Sequence, residues 1–126
     1  MTVIVAVDFD GTLVEHQYPQ IGPDVPGAFE WLHKLKDAGA LLMLWTMRDG
    51  ASLAEAIEHC AARGIGFWGV NRNAGQASWS QSPKQYAHLY VDDSALGCPL
   101  VLRDRARAYV DWSVAGPLAL AEVERR

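Results

Sequence analysis

Thr2-Val3-Ile4-Val5-Ala6-Val7 runs directly into Asp8-Phe9-Asp10-Gly11-Thr12-Leu13, and this stretch decides the fold. A β-branched run that stops at an acidic, glycine-containing turn reads as a short buried strand, not a helix. Downstream, Ala28, Trp31, Leu32, Leu35 and Ala38 stand three and four apart. That spacing predicts a helix with one apolar stripe, closed by Gly39 as its C-cap. Leu41 to Trp45 predicts a second buried strand that ends at Thr46 and turns through Met47 to Ala51. Ser52 and Glu55 then read as a capping box opening a helix lined by Leu53, Ile57, Cys60 and Ala61, which runs to Gly64.

Phe67 to Val70 predicts a short third strand, and the polar stretch Asn71 to Ser82 reads as a loop. Pro83 suits the first turn of a short helix holding Lys84, and His88 to Val91 predicts a fourth strand ending at Asp92 and Asp93. Tyr109 to Val114 reads as a fifth strand or as the lead-in to a terminal helix, Pro117 to Val123. Strands alternating with helices imply an α/β fold with a parallel sheet covered on both faces and right-handed crossovers. In such sheets, chemistry gathers at the carboxyl ends of the strands.

The 126 residues suffice for one domain and are too few for a two-domain enzyme. A formal charge of −4 lacks the basic excess of a non-specific nucleic-acid binder. The longest mainly apolar stretch, Ala38 to Met47, is too short to cross a bilayer. Asp8 and Asp10 fall where the apolar core of a signal peptide would lie. Cys60 and Cys98 lack the spacing of a zinc ribbon or redox pair, so two reduced, packed thiols and a cytoplasmic location are expected.

Asp8, Asp10, Thr46, Lys84, Asp92 and Asp93 all fall at predicted strand ends, or just before the next strand, and so converge on one edge. Several carboxylates brought together repel one another and bind a proton or a hard cation, for which oxygen ligands suit Mg²⁺. With one lysine and one hydroxyl, the set fits a phosphoryl group attacked by a carboxylate, its oxygens neutralised by cation, lysine and hydroxyl.

Asp8-Phe9-Asp10-Gly11-Thr12-Leu13 after its strand resembles the first motif of the haloacid dehalogenase superfamily of phosphatases. Thr46 resembles the second, Lys84 the third, and Asp92-Asp93 after Leu89-Tyr90-Val91 the fourth, all in the family's order. The resemblance implies a single Rossmann-like, three-layer domain over residues 1–126. It also implies Asp8 as the nucleophile that becomes an aspartyl-phosphate and Asp10 as general acid and base, with Thr46 and Lys84 holding the phosphoryl oxygens. Mg²⁺ would be held by Asp8, the Asp10 main-chain carbonyl and Asp92, with Asp93 as a further ligand or just behind it. Val14 to Tyr18, Pro19 and Ile21-Gly22 resemble a small group of capless bacterial members. Caps in that superfamily enter where Val14 to Pro26 and Asn71 to Pro83 stand here, and neither segment can hold a domain. An open site implies a large substrate that closes the cleft, or a homo-oligomer whose neighbour serves as lid.

His16 is a candidate contact to substrate, and Tyr18, Asn71, Arg72 and Trp79 border the same cleft. Arg48 reads equally as a contact to substrate or as an exposed, salt-linked turn. Arg103, Arg105 and Arg107 read as a polyanion patch or as an exposed strand edge blunted by charge. A signalling receiver domain would place its acidic pair at the first strand and its lysine after the fifth, contrary to the order here. The expected activity is hydrolysis of a phosphate monoester, on a phosphorylated small molecule or macromolecule. A phosphate- and Mg²⁺-binding scaffold with little turnover is the alternative.

Overall fold

The computed structural model describes residues 2–126. Four strands, β1 (Ile4–Val7), β2 (Leu41–Leu44), β3 (Gly69–Val70) and β4 (Leu89–Val91), form a parallel sheet in the order β3-β2-β1-β4. Helix α1 (Ala28–Asp37) joins β1 to β2, and α2 (Gly50–Ala62) joins β2 to β3. After β4 come an antiparallel hairpin, β5 (Leu100–Arg103) with β6 (Ala106–Val110), and the terminal helix α3 (Trp112–Arg125).

Period-two alternation sorts the strand side chains. Val5, Val7, Leu42 and Leu44 join one core with Leu32 and Leu35 of α1, Ala56 and Cys60 of α2, and Trp112, Ala115 and Ala119 of α3. Ala6 and Met43 point to the other face, where Ala87, Ile4 and Trp45 pack with them. That second face is covered by the segment between β3 and β4, which carries a single 3₁₀ turn, Gln76–Ser78. The result is the expected single Rossmann-like α/β domain, its third layer built from this segment. Burial pushes the Cys60 thiol up to about 12, as befits a packed cysteine.

Two boundaries differ from expectation for local reasons. The Ser52 hydroxyl donates to the Asp49 carbonyl at 2.8 Å, so Ser52 lies inside the first turn of α2 and caps nothing. Helix α3 starts at Trp112, ahead of Pro117, because the Asp111 carboxylate caps it by accepting from the Ser113 N–H at 3.1 Å. The buried Trp112 indole N–H also donates to the Thr12 carbonyl at 2.8 Å, tying α3 to the turn after β1.

Helix α3 approaches α1 closely at Gly116, where a Cβ would stand 2.2 Å from the Trp31 ring. Gly116→Ala is expected to destabilise the protein by roughly 1–3 kcal/mol through overpacking, read as a lower urea midpoint. An unchanged midpoint would show that the two helices separate freely.

Candidate functional site

From β1 the chain steps through α1 to β2 and on to β3, then crosses back to β4 on the other side of β1, so the strand order reverses at the β1–β4 pair. A crevice opens at the carboxyl edge of such a switch point. Val7 pairs with both Leu44 and Val91, so Asp8 emerges between Trp45 and Asp92. The Asp8 N–H donates to the Val91 carbonyl at 3.0 Å and the Trp45 N–H to the Val7 carbonyl at 2.8 Å, continuing the ladder to the rim.

Asp8, Asp92 and Asp93 each present a carboxylate oxygen within 4.8 Å of the others. The buried Thr12 hydroxyl braces them, donating to Asp8 Oδ2 at 3.0 Å and accepting from the Asp93 N–H at 3.3 Å. Gly11 makes this packing sterically feasible: its φ is +85°, and a Cβ would stand 2.3 Å from Asp93 Oδ2.

Burial pushes the Asp8 carboxyl up to about 8, assisted by proton sharing with Asp93 and the charge of Asp92, against the Thr12 hydroxyl that favours the anion. Burial raises the Asp92 carboxyl as well, opposed by the Ser94 N–H at 2.8 Å and assisted by Asp93. Three oxygen donors under mutual repulsion fit a hard divalent cation such as Mg²⁺.

This arrangement sets a pH dependence for the metal-free protein. The fold keeps the Asp8 proton up to about pH 8, whereas the unfolded chain loses it near the ordinary 3.8. The folded state therefore binds more protons across that window, and this contribution to stability falls as pH rises through it. Thermal melts in a chelator should show a lower Tm at pH 8 than at pH 5.5, with Mg²⁺ restoring most of the loss. A Tm that rises over this range would contradict the crowding of the three acids.

Asp10 does not join the acidic cluster. Its two oxygens receive a fork from Arg48, with Nε to Oδ2 at 2.7 Å and Nη2 to Oδ1 at 2.8 Å. Arg48 also donates from Nη2 to the Gln20 carbonyl at 2.9 Å, and from Nη1 to the carbonyls of Pro19 at 3.2 Å and Ser52 at 3.3 Å. All five guanidinium N–H bonds are thus used. Arg48 is 2% exposed, with Phe9 and Tyr18 rings about its guanidinium at 5.1 and 5.2 Å. It is neither the exposed turn residue nor the free substrate contact that the sequence offered; it is a buried tie between Asp10, the loop after β1 and the start of α2.

A cavity of about 580 Å³ spans these groups, bounded by Asp8, Asp10, Thr46, Arg48, Asp92 and Asp93. His16 and Tyr18 line it from the loop after β1, and Arg107 lines it from β6. Thr46 is fixed by its N–H to Asn71 Oδ1 at 2.7 Å, and its Oγ1 accepts from the Arg48 N–H at 3.1 Å. That geometry leaves the Thr46 hydroxyl proton free to point into the cavity. A recess of about 310 Å³ shares Asp8, Thr46, Met47 and Asp92 and adds Trp45 and Asn71.

Lys84 is not among the residues lining this cavity. It is exposed, and it lines a separate hollow with Trp79, Tyr86 and Tyr90. The expected helix at Pro83 does not form because the buried Gln76 amide bends the segment, donating to the carbonyls of Ser82 at 3.1 Å and Lys84 at 2.8 Å. Trp79 and Arg72 likewise lie outside the cavity walls, whereas Asn71 holds Thr46. Sequence reasoning gave Thr12 no role, although a hydroxyl beside the turn glycine was a usable signal. In the sequence Arg107 is one of the alternating arginines at 103, 105 and 107, with nothing to aim it at the site.

Fold and crevice together define a small Rossmann-like α/β protein with an acidic cluster at the carboxyl edge of its sheet. Among the described residues, no helix is long and apolar enough to cross a membrane. No family model matches the sequence, and no curated protein matches it. A solved structure of a conserved protein from Bacteroides thetaiotaomicron is 36% identical and superposes with a TM-score of 0.81, covering 97% of this chain and 93% of that one. The chain belongs to the same family as that Bacteroides protein.

Proposed function

We propose that the chain is a capless, Mg²⁺-dependent phosphatase of the haloacid dehalogenase type, acting through an aspartyl-phosphate on Asp8. The observation that carries this reading is the trio Asp8, Asp92 and Asp93 at the switch point, with Asp8 backed by the Thr12 hydroxyl. Asp8 and Asp92 would hold Mg²⁺ with the Asp10 main-chain carbonyl, and Asp93 beside them. When bound, the ion would neutralise charge on the non-bridging phosphoryl oxygens.

An Asp8 oxygen attacks phosphorus, and the ester P–O bond breaks with its electron pair leaving on the alcohol oxygen. Asp10 gives that oxygen a proton, then takes one from the water that attacks the aspartyl-phosphate and releases inorganic phosphate. The Arg48 fork fixes the plane of the Asp10 carboxylate, so proton exchange uses the lone pairs that the fork leaves open. The Thr46 hydroxyl donates to a phosphoryl oxygen. The leaving group meets His16, Tyr18 and the exposed Met47 at the cavity mouth.

A second reading, a phosphate- and Mg²⁺-binding scaffold with little turnover, draws on two observations: both Asp10 oxygens are engaged by Arg48, and Lys84 lies elsewhere. Phosphate release from an aryl phosphate and a panel of phosphorylated metabolites, with Mg²⁺ and with chelator, separates the two. Mg²⁺-dependent release supports the phosphatase. Mg²⁺ and phosphate binding without release from any ester supports the scaffold.

A further inference from the structure

We propose that Arg107, on the β5–β6 hairpin, receives the non-bridging oxygens of the bound phosphoryl group, the role that the family resemblance implies for Lys84. The assignment rests on the phosphatase reading for its substrate and on three structural observations for its residue.

The first is elimination. Among the described residues, the arginines and lysines lining the 580 Å³ cavity are Arg48 and Arg107 alone. Arg48 has no donor left, because Asp10 and three main-chain carbonyls use all five. The Arg107 guanidinium is 60% exposed and meets Asp93 Oδ2 at 3.9 Å, beyond hydrogen-bond reach.

The second is charge. Among the described residues, Asp8, Asp92 and Asp93 have no cation within hydrogen-bond distance, so the three clustered carboxylates exceed a divalent cation by one negative charge. A phosphate dianion would enter a cavity that repels it, unless one further cation faces the same space. Arg107 supplies that charge beside Asp93, and its planar fork suits two phosphoryl oxygens.

The third is placement. Arg103 Nε and Nη2 donate to the Arg107 carbonyl at 3.0 and 2.6 Å, and Arg103 is itself held by Glu15 Oε1 at 2.8 Å and stacked on Tyr109. Three residues on, the Val110 N–H donates to the Gly11 carbonyl at 3.0 Å, docking β6 on the turn that carries Asp8. The Arg107 main chain is therefore fixed relative to the acids while its side chain stays free to close on a ligand.

The test titrates inorganic phosphate into Mg²⁺-loaded, full-length protein by calorimetry and measures KM and kcat on an aryl phosphate, for wild type, Arg107→Gln, Arg107→Lys and Lys84→Gln. Loss of one charge-assisted contact should weaken phosphate binding and raise KM by about 10-fold or more in Arg107→Gln, with partial recovery in Arg107→Lys. Mg²⁺ affinity should hold or tighten in Arg107→Gln, which a misfolded site would not show. Wild-type phosphate affinity in Arg107→Gln, or the loss falling on Lys84→Gln instead, overturns the assignment. Turnover and binding are read separately: Arg107-dependent phosphate binding without ester hydrolysis supports the assignment and overturns the phosphatase, whereas wild-type protein that neither binds phosphate nor hydrolyses the ester overturns both.

Discussion

Replacing Asp8 by Asn should abolish Mg²⁺-dependent phosphate release, by on the order of 10,000-fold or more, because the amide keeps the shape of the side chain and loses the nucleophile. Shape matters here, since Thr12 Oγ1 stands 3.0 Å from Asp8 Oδ2 and an amide oxygen accepts the same bond. The fold should survive. In chelator the variant should even gain stability at alkaline pH relative to wild type, because the carboxyl pushed up to about 8 by burial and its acidic neighbours is gone. The fall in Tm between pH 5.5 and 8 should flatten accordingly. Activity within 10-fold of wild type would remove Asp8 as nucleophile and the aspartyl-phosphate with it.

The largest stability effect is expected at Arg48. Arg48→Ala leaves the Asp10 carboxylate, whose side chain is 13% exposed, without a counter-charge and frees three main-chain carbonyls. Breaking a buried pair from one side costs about 3–5 kcal/mol, since an uncompensated charge remains. Urea unfolding should report a loss of that size in Arg48→Ala. The double variant Asp10→Asn with Arg48→Met should recover part of it, because no unpaired charge is left and the volume is refilled. A single variant within 1 kcal/mol of wild type would mean that solvent already serves Asp10.

These two residues also separate what local pattern reveals from what it hides. Asp8 was legible because a buried β-branched run that ends in an acid is a local signal, and the same holds for Asp92 and Asp93 after β4. Arg48 was legible only as a residue near the second strand's end. Its partners are Asp10, Pro19, Gln20 and Ser52, drawn from two separate loops, so no spacing rule identifies it as a buried tie. The capping box at Ser52 failed for a related reason: the motif was present, but the hydroxyl found the Asp49 carbonyl inside the first turn.

The segment between β3 and β4 shows the limit most clearly. Its polarity correctly predicted a loop, yet the path of that loop depends on Gln76 and Asn73, both buried and bonded across to Ser82, Lys84 and Tyr86. Those bonds turn Lys84 into a hollow of its own.

The sequence by itself determined the α/β alternation, the strand ends and the acids that stand on them, because each depends on a few consecutive residues and the period-two burial of a strand. Tertiary structure alone decided which cations face those acids. Arg48 was drawn inward by Asp10, Lys84 was carried away by a loop bent around Gln76, and Arg107 was brought in by a hairpin docked through Val110 on Gly11, a contact spanning most of the chain. Charge partners are chosen by where loops are pinned, and the pins are long-range hydrogen bonds that leave no periodic trace in the sequence.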